Sequence, residues 1–184
     1  MLSGNTAAFE TLYDRRQGGV YRYVLRMTGS ESLAEDVTQD VFLALIKDSG
    51  QYDDARGTVR SYLYGMARHR VLRRLDRERT MVSIEARQEE DDGAMDRHLT
   101  ASDDPFSDLA RNEIVDLVRQ AVLSLPVNFR EVIVLCHLHE MNYAEVAEVI
   151  ACPVGTVRSR LSRARTLLGE KLKLLQASQC KASC

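Results

Sequence analysis

The residues best suited to chemistry on a polyanion lie between Asn142 and Arg165, where an apolar segment, a tight turn and an arginine-rich segment follow one another. A short helix, a turn and a second basic helix form the helix-turn-helix arrangement, which lays its second helix in the DNA major groove. At about 100° per residue, Val157, Leu161, Ala164 and Leu168 fall on one apolar stripe that packs inward. Ser159, Ser162, Arg163 and Thr166 fall opposite, with Arg158 beside them. Those side chains reach base edges, and arginine is the usual bidentate partner of guanine. Arg160 and Arg165 flank the stripe and suit phosphates, which position a protein without specifying sequence. Thr156, after Gly155, is expected at the N-cap and at the DNA surface. Almost no acid interrupts these bases, whereas a merely solvated face would carry glutamate.

These elements must be positioned by a chain of 184 residues with 25 Lys and Arg against 27 Asp and Glu, a net charge of −2. Near-neutrality by itself argues against nucleic acid, but the distribution of charge argues for it. The segment from Arg56 to Arg79 is crowded with arginine against only Asp76 and Glu78, and the segment from Thr156 to Lys173 is basic as well. Between them, Glu85 to Asp108 is acidic, aperiodic and punctuated by Gly93 and Pro105. Two basic blocks separated by an acidic one predict two DNA contacts on one chain. The expected architecture is all-α: two small helical domains, 1–81 and 109–175, joined by a flexible acidic linker at 82–108, with a short tail at 176–184. No run of about 18 apolar residues exists, so no membrane insertion is expected. The N-terminus shows no basic-then-apolar leader, which points to the cytoplasm and to reduced cysteines.

In the first domain Phe9, Leu12, Tyr13, Val20, Tyr23, Val24 and Met27 recur at helical spacing, with a break expected at Gly18 and Gly19 and an end at Gly29. Ser32 and Glu35 have the form of a capping box, opening a helix to about Lys47 whose core stripe is Leu33, Val37, Val41 and Leu45. Glu35, Asp36, Gln39 and Asp40 lie elsewhere on its surface as an acidic, amide-bearing patch. After a loop at 48–57, a helix beginning near Thr58 buries Val59, Leu63, Met66 and Val71 and presents Arg68, Arg70, Arg73, Arg74 and Arg77. Tyr64 on that helix suits a core position and a DNA contact equally. In the second domain, Val115, Val118, Val122 and Leu125 mark a helix stopped by Pro126, and Phe129 to His139 a second one with Val132, Leu135 and Cys136 inward.

Cys136, His137, His139 and Cys152 are residue types that bind metals, but Cys136 fits the core stripe, and both it and Cys152 are read as buried thiols. Cys180 and Cys184 share a side if their tail is helical, but a frayed terminus with free thiols is the plainer expectation. No metal site and no cofactor is expected.

The segment GTVRSRLSRAR (155–165) resembles the promoter-reading helix of bacterial sigma factors of the extracytoplasmic-function (ECF) group. AEDVTQDVF (34–42) resembles the sigma segment that docks on the clamp helices of RNA polymerase, and VRSYLYGMARHRVLRRL (59–75) the segment that opens the promoter and holds the −10 element. LPVNFREVIVL (125–135) is similar to the start of the −35-recognising domain. The resemblance covers about nine-tenths of the chain, in the right order. It implies core polymerase binding by Asp36, Gln39 and Asp40. It implies −10 contacts by Tyr62, Arg68, His69, Arg70, Arg73 and Arg74, and −35 contacts by Thr156, Arg158, Ser159, Arg160, Ser162, Arg163 and Arg165. It also implies an anti-sigma factor as a partner. Four positions depart from the family habit: Tyr62 for tryptophan, His69 for asparagine, and Glu140 and Ala151 for glycine. An imidazole at 69 can still stack on or bond a base. A left-handed Ala151 would cost about 1 kcal/mol relative to glycine.

No phosphate-cradling glycine loop, nucleophile elbow or zinc-protease helix is present, so no catalysis is expected. The functional expectation is an alternative sigma factor directing promoter-specific initiation. Its rivals are a stand-alone helix-turn-helix activator, which would need no polymerase patch, and a sigma mimic that sequesters an anti-sigma factor, which would need no basic reading face.

Overall fold

The computed structural model describes residues 6–47, 52–53, 57–85 and 105–182, with backbone alone at 6, 78–85, 105–113 and 177–182. Among these residues every regular element is helical: α1 (Thr6–Thr28), α2 (Glu31–Lys47), α3 (Val59–Glu85), α4 (Pro105–Leu123), α5 (Val127–Ile133), a π-helical turn (Val134–Leu138), α6 (Tyr143–Ile150) and α7 (Val154–Ala182). Residues 86–104 of the acidic segment, most of the 48–57 loop and the side chains of Cys180 and Cys184 lie outside the described residues.

The helix ends follow local chemistry. Gly29 closes α1 at φ +77°, and a Cβ there would also meet Leu123 Cδ1 at 3.0 Å, so the position needs glycine for conformation and for the approach of α4. The cap of α2 is Ser30, whose Oγ accepts from Leu33 N at 3.2 Å; Ser32, where the sequence suggests a capping box, sits inside the helix. Thr58 Oγ1 accepts from Ser61 N at 3.1 Å and caps α3. Asn142 and Glu145 form a full capping box on α6, a signal present in the sequence as Asn-x-x-Glu. Thr156 is not a cap: α7 starts at Val154, and Thr156 N donates to Pro153 O at 2.8 Å from inside the first turn.

α1 also runs unbroken through Gly18 and Gly19. A Cβ at 19 would lie 2.9 Å from Tyr64 Oη, so this glycine serves close packing of α1 on α3 rather than a break. On α4 the inward face is Leu117, Ala121 and Val122, followed by Leu125, whereas Val115 and Val118 are exposed. The buried face is therefore rotated from the expected stripe, whose mixed spacings admit a neighbouring face equally well.

Val20, Tyr23, Val24 and Met27 of α1 pack with Val37, Val41 and Leu45 of α2 and Leu63, Ala67 and Val71 of α3. Val132, Leu135, Val146, Val149, Val157, Leu161 and Ala164 fill the C-terminal half, and the buried residues of both halves form one continuous cluster. The joint is polar as well as apolar: α3 packs on α6, and α1 on α4, α5 and the π-helical turn.

Candidate nucleic-acid interface

The helix-turn-helix is built on a strained corner. Ala151 takes φ 52°, ψ 52°, the left-handed conformation that closes α6, and Pro153 O accepts from Thr156 N and Val157 N to launch α7. Burial of Val157, Leu161 and Ala164 then fixes the rotation of α7. That rotation leaves Arg158, Ser159, Ser162, Arg163 and Thr166 exposed on the far side, as the periodicity requires. Ser159 Oγ donates to Thr156 O at 3.0 Å, leaving its lone pairs outward. Arg158 lies over the Tyr143 ring, 5.8 Å from its centroid, which holds the guanidinium at the mouth of the motif. Arg165 is exposed but donates from Nε to His137 Nε2 at 3.1 Å. Burial, then the Arg165 charge, hold that imidazole below its ordinary pKa, as an accepting nitrogen requires. Arg160 is half-buried and its charge acts on Glu131.

The second basic surface is the head of α3. A cleft of about 520 Å³ opens there, lined by Tyr52, Gly57, Tyr62, Met66, His69 and Arg70 from the N-terminal half and by Glu148 from α6. Tyr62 is half-buried and packs on Tyr52, ring centroids 5.6 Å apart. His69, Arg73 and Arg74 are exposed. Arg70 donates to the backbone of Asp40 at 3.3 Å and of Met66 at 3.4 Å, which ties the cleft to α2. Arg68 is placed differently from its neighbours: its Nε donates to Glu131 Oε1 and its Nη2 to Oε2, making a two-point pair with a carboxylate of the C-terminal half that is almost fully buried. Burial raises the Glu131 carboxyl above its ordinary range, and Arg68 pulls it back.

Tyr64 takes the core role of the two its sequence position allows: it is buried, and its Oη shares a 2.8 Å hydrogen bond with His139 Nδ1. Arg60 donates to His139 O. His139 is a joint residue: burial, reinforced by the charges of Arg22, Arg60 and Arg26, lowers its pKa to about 4. Among the described residues no three His, Cys, Asp or Glu side chains converge as metal ligands would. Cys136 and Cys152 are half-buried free thiols.

The third surface lies on α2. Asp36, Gln39 and Asp40 are exposed on one face, and Leu43 and Ile46, 52% and 53% exposed, continue it. The acids are legible in the sequence; the two apolar residues are not, because Leu43 and Ile46 read as more core in an already apolar helix. Glu131, His139 and Glu148 escape sequence reasoning for a different reason: their partners lie in the other half of the chain.

The chain has counterparts among known proteins. The family model for Sigma-70 region 2 matches residues 12–80, and that for Sigma-70, region 4 matches residues 116–168. The ECF RNA polymerase sigma factor SigC of Mycobacterium tuberculosis is 33% identical over 168 residues, covering 90% of this chain and 83% of that protein. The chain belongs to the ECF sigma factor family. SigW of Bacillus subtilis, another ECF sigma factor, is 27% identical over 172 residues, covering 92% of this chain and 91% of its own. In fold, the sigma factor resembles RpoE of Bartonella quintana, solved in complex with the anti-sigma factor NepR, at a TM-score of 0.70 and 20% identity over 90% of this chain and 97% of that one. It also resembles CnrH, solved with the cytosolic domain of CnrY, at a TM-score of 0.66 and 24% identity over 94% and 92%. The protein is thus an alternative sigma factor that directs transcription initiation. No helix among its described residues is long and apolar enough to cross a membrane.

Proposed function

We propose that this sigma factor divides its work between residues 1–81, which dock on core RNA polymerase and hold the −10 element, and residues 109–175, which read the −35 element. Asp36, Gln39 and Asp40 face the polymerase clamp, with Leu43 and Ile46 supplying the apolar part of the contact. Tyr62, His69 and Arg70 line the cleft that takes an unstacked −10 base, and Arg68, Arg73 and Arg74 hold the strand by its phosphates. Arg158, Ser159, Ser162 and Arg163 meet base edges at −35, while Arg160 and Arg165 are kept for the backbone and Thr156 supports the first turn of α7. The protein acts in the cytoplasm by binding, without catalysis or cofactor. An anti-sigma factor covers these surfaces when transcription is not required; RpoE of Bartonella quintana, whose fold this chain resembles, was solved with such a partner.

The observation that carries this reading is the outward face of α7 from Arg158 to Thr166, free of acid and held in rotation by a buried stripe, on the same chain as an exposed acidic–apolar face of α2. The test is transcription in vitro with sigma-free core polymerase and a randomised promoter library. Sequence-selective initiation with two recovered elements is the expected result. Failure to bind core would sink the reading in favour of an activator or a mimic.

A further inference from the structure

Most arginines that this fold holds in place are held through their N–H groups. Arg68 gives Nε and Nη2 to Glu131, Arg70 donates to the backbone of Asp40 and Met66, and Arg165 donates from Nε to His137 Nε2. Arg158 is held by a ring face instead. Its guanidinium carbon lies 5.8 Å from the centroid of Tyr143, and among the described residues no carboxylate pairs with it. A ring face attracts the cation as a whole and takes none of its donors. The fork therefore stays free for a base, and a guanine edge needs two of its N–H groups at once.

The ring is itself fixed by local chemistry. Tyr143 is the first residue of α6. Asn142 Oδ1 accepts from Ala144 N and Glu145 N, both at 3.0 Å, and Glu145 Oε2 accepts from Asn142 N at 2.9 Å. This box pins the start of the helix and engages Glu145, the acid nearest Tyr143 in sequence. The corner at Ala151 and the buried Val157 and Leu161 fix where Arg158 leaves α7. Tyr143 remains 38% exposed, so the pair stands at the surface.

We propose that Tyr143 is a positioning residue for −35 recognition, its ring holding the Arg158 guanidinium ready for a base edge rather than for the neighbouring phosphates. The proposal rests on the reading that Arg158 meets a base at −35. An unrestrained arginine is a flexible cation that pairs with any phosphate in reach. Restraint before binding reduces the ordering that the base contact demands. That advantage falls on the sequence that offers the acceptors, so Tyr143 sharpens discrimination without touching a base.

The test uses holoenzyme assembled from the full chain and core polymerase, with duplex promoters carrying each single-base variant of the selected −35 element. Arg158→Ala first identifies the base pair whose discrimination depends on that guanidinium. Tyr143→Ala is expected to weaken binding of the preferred promoter about two- to fivefold, the range for an exposed cation–π contact. Where that base pair is substituted, it is expected to leave binding unchanged. Tyr143→Leu keeps apolar bulk without a π face and is expected to match Tyr143→Ala, whereas Tyr143→Phe keeps the face and is expected to bind as the wild type does. In the Arg158→Ala background, loss of Tyr143 is expected to add nothing. Equal weakening on every −35 sequence, a Tyr143→Phe defect as large as that of Tyr143→Ala, additive losses in the double variant, or no loss with Tyr143→Ala overturns the positioning role. The Phe defect would mark the hydroxyl as a DNA contact in its own right. If Arg158→Ala leaves discrimination intact at every base pair, the base contact itself fails, and the proposal falls with it.

Discussion

Arg163 is exposed on the outer face of α7, beside the small side chains of Ser159, Ser162 and Thr166. Replacing it with alanine is expected to cost about 1–3 kcal/mol on the preferred −35 sequence and to relax discrimination at one base pair, measured by binding across single-base variants. Equal weakening on every sequence would make it a phosphate contact instead. Ala151 carries strain of another kind. Its φ of 52° is the conformation glycine adopts freely, so Ala151→Gly is expected to raise stability by about 1 kcal/mol in denaturant titration. Glu140, at φ 51°, is the companion case. Both positions stand out in the sequence, because other residues occur where glycine is habitual, but the geometry there is open; only backbone dihedrals show that the chain accepts the strain rather than avoiding it.

At the scale of elements, buried stripes decide which faces are free to function. Leu161 is 1% exposed within the core on which α7 packs against α5 and α6. Leu161→Ala is expected to destabilise the fold by about 2–5 kcal/mol, and its loss of promoter binding should track unfolding measured by circular dichroism. On α2, Asp40→Ala is expected to weaken core polymerase binding while leaving the melting temperature nearly unchanged, because the side chain is exposed and no stability rests on it. The α2 and α7 stripes are readable from periodicity, since each contains apolar residues at a strict helical repeat. Sequence and structure part where local signals compete. Gly18 and Gly19 look like a break yet lie inside α1, where Tyr64 needs the space at Gly19. Ser32 looks like a cap, yet Ser30 does that work.

At the scale of the whole molecule, the joint between the halves turns on His139, whose ring faces Tyr64 and Tyr23 and the charges of Arg22, Arg26 and Arg60. Its pKa falls from an ordinary 6.5 to about 4 in the packed state. The separated state therefore binds a proton more readily, so the packed joint keeps its full stability above pH 6.5 and loses it progressively as the pH falls toward 4. Glu131, whose carboxyl burial raises, acts in the opposite sense and favours the packed joint as the pH falls. Scattering across this range is expected to show opening on acidification, with a flatter response in His139→Gln. The sequence by itself determined the all-helical class, the basic reading face of α7, the acidic patch of α2 and the family, because these follow from residue types at short, regular spacing. Only the tertiary structure decided that Arg68 is paired with Glu131, that His139 is a joint residue and that Glu148 stands at the rim of the cleft on α3. Each of those contacts joins residues far apart along the chain, and no local periodicity encodes which distant side chain will answer a charge.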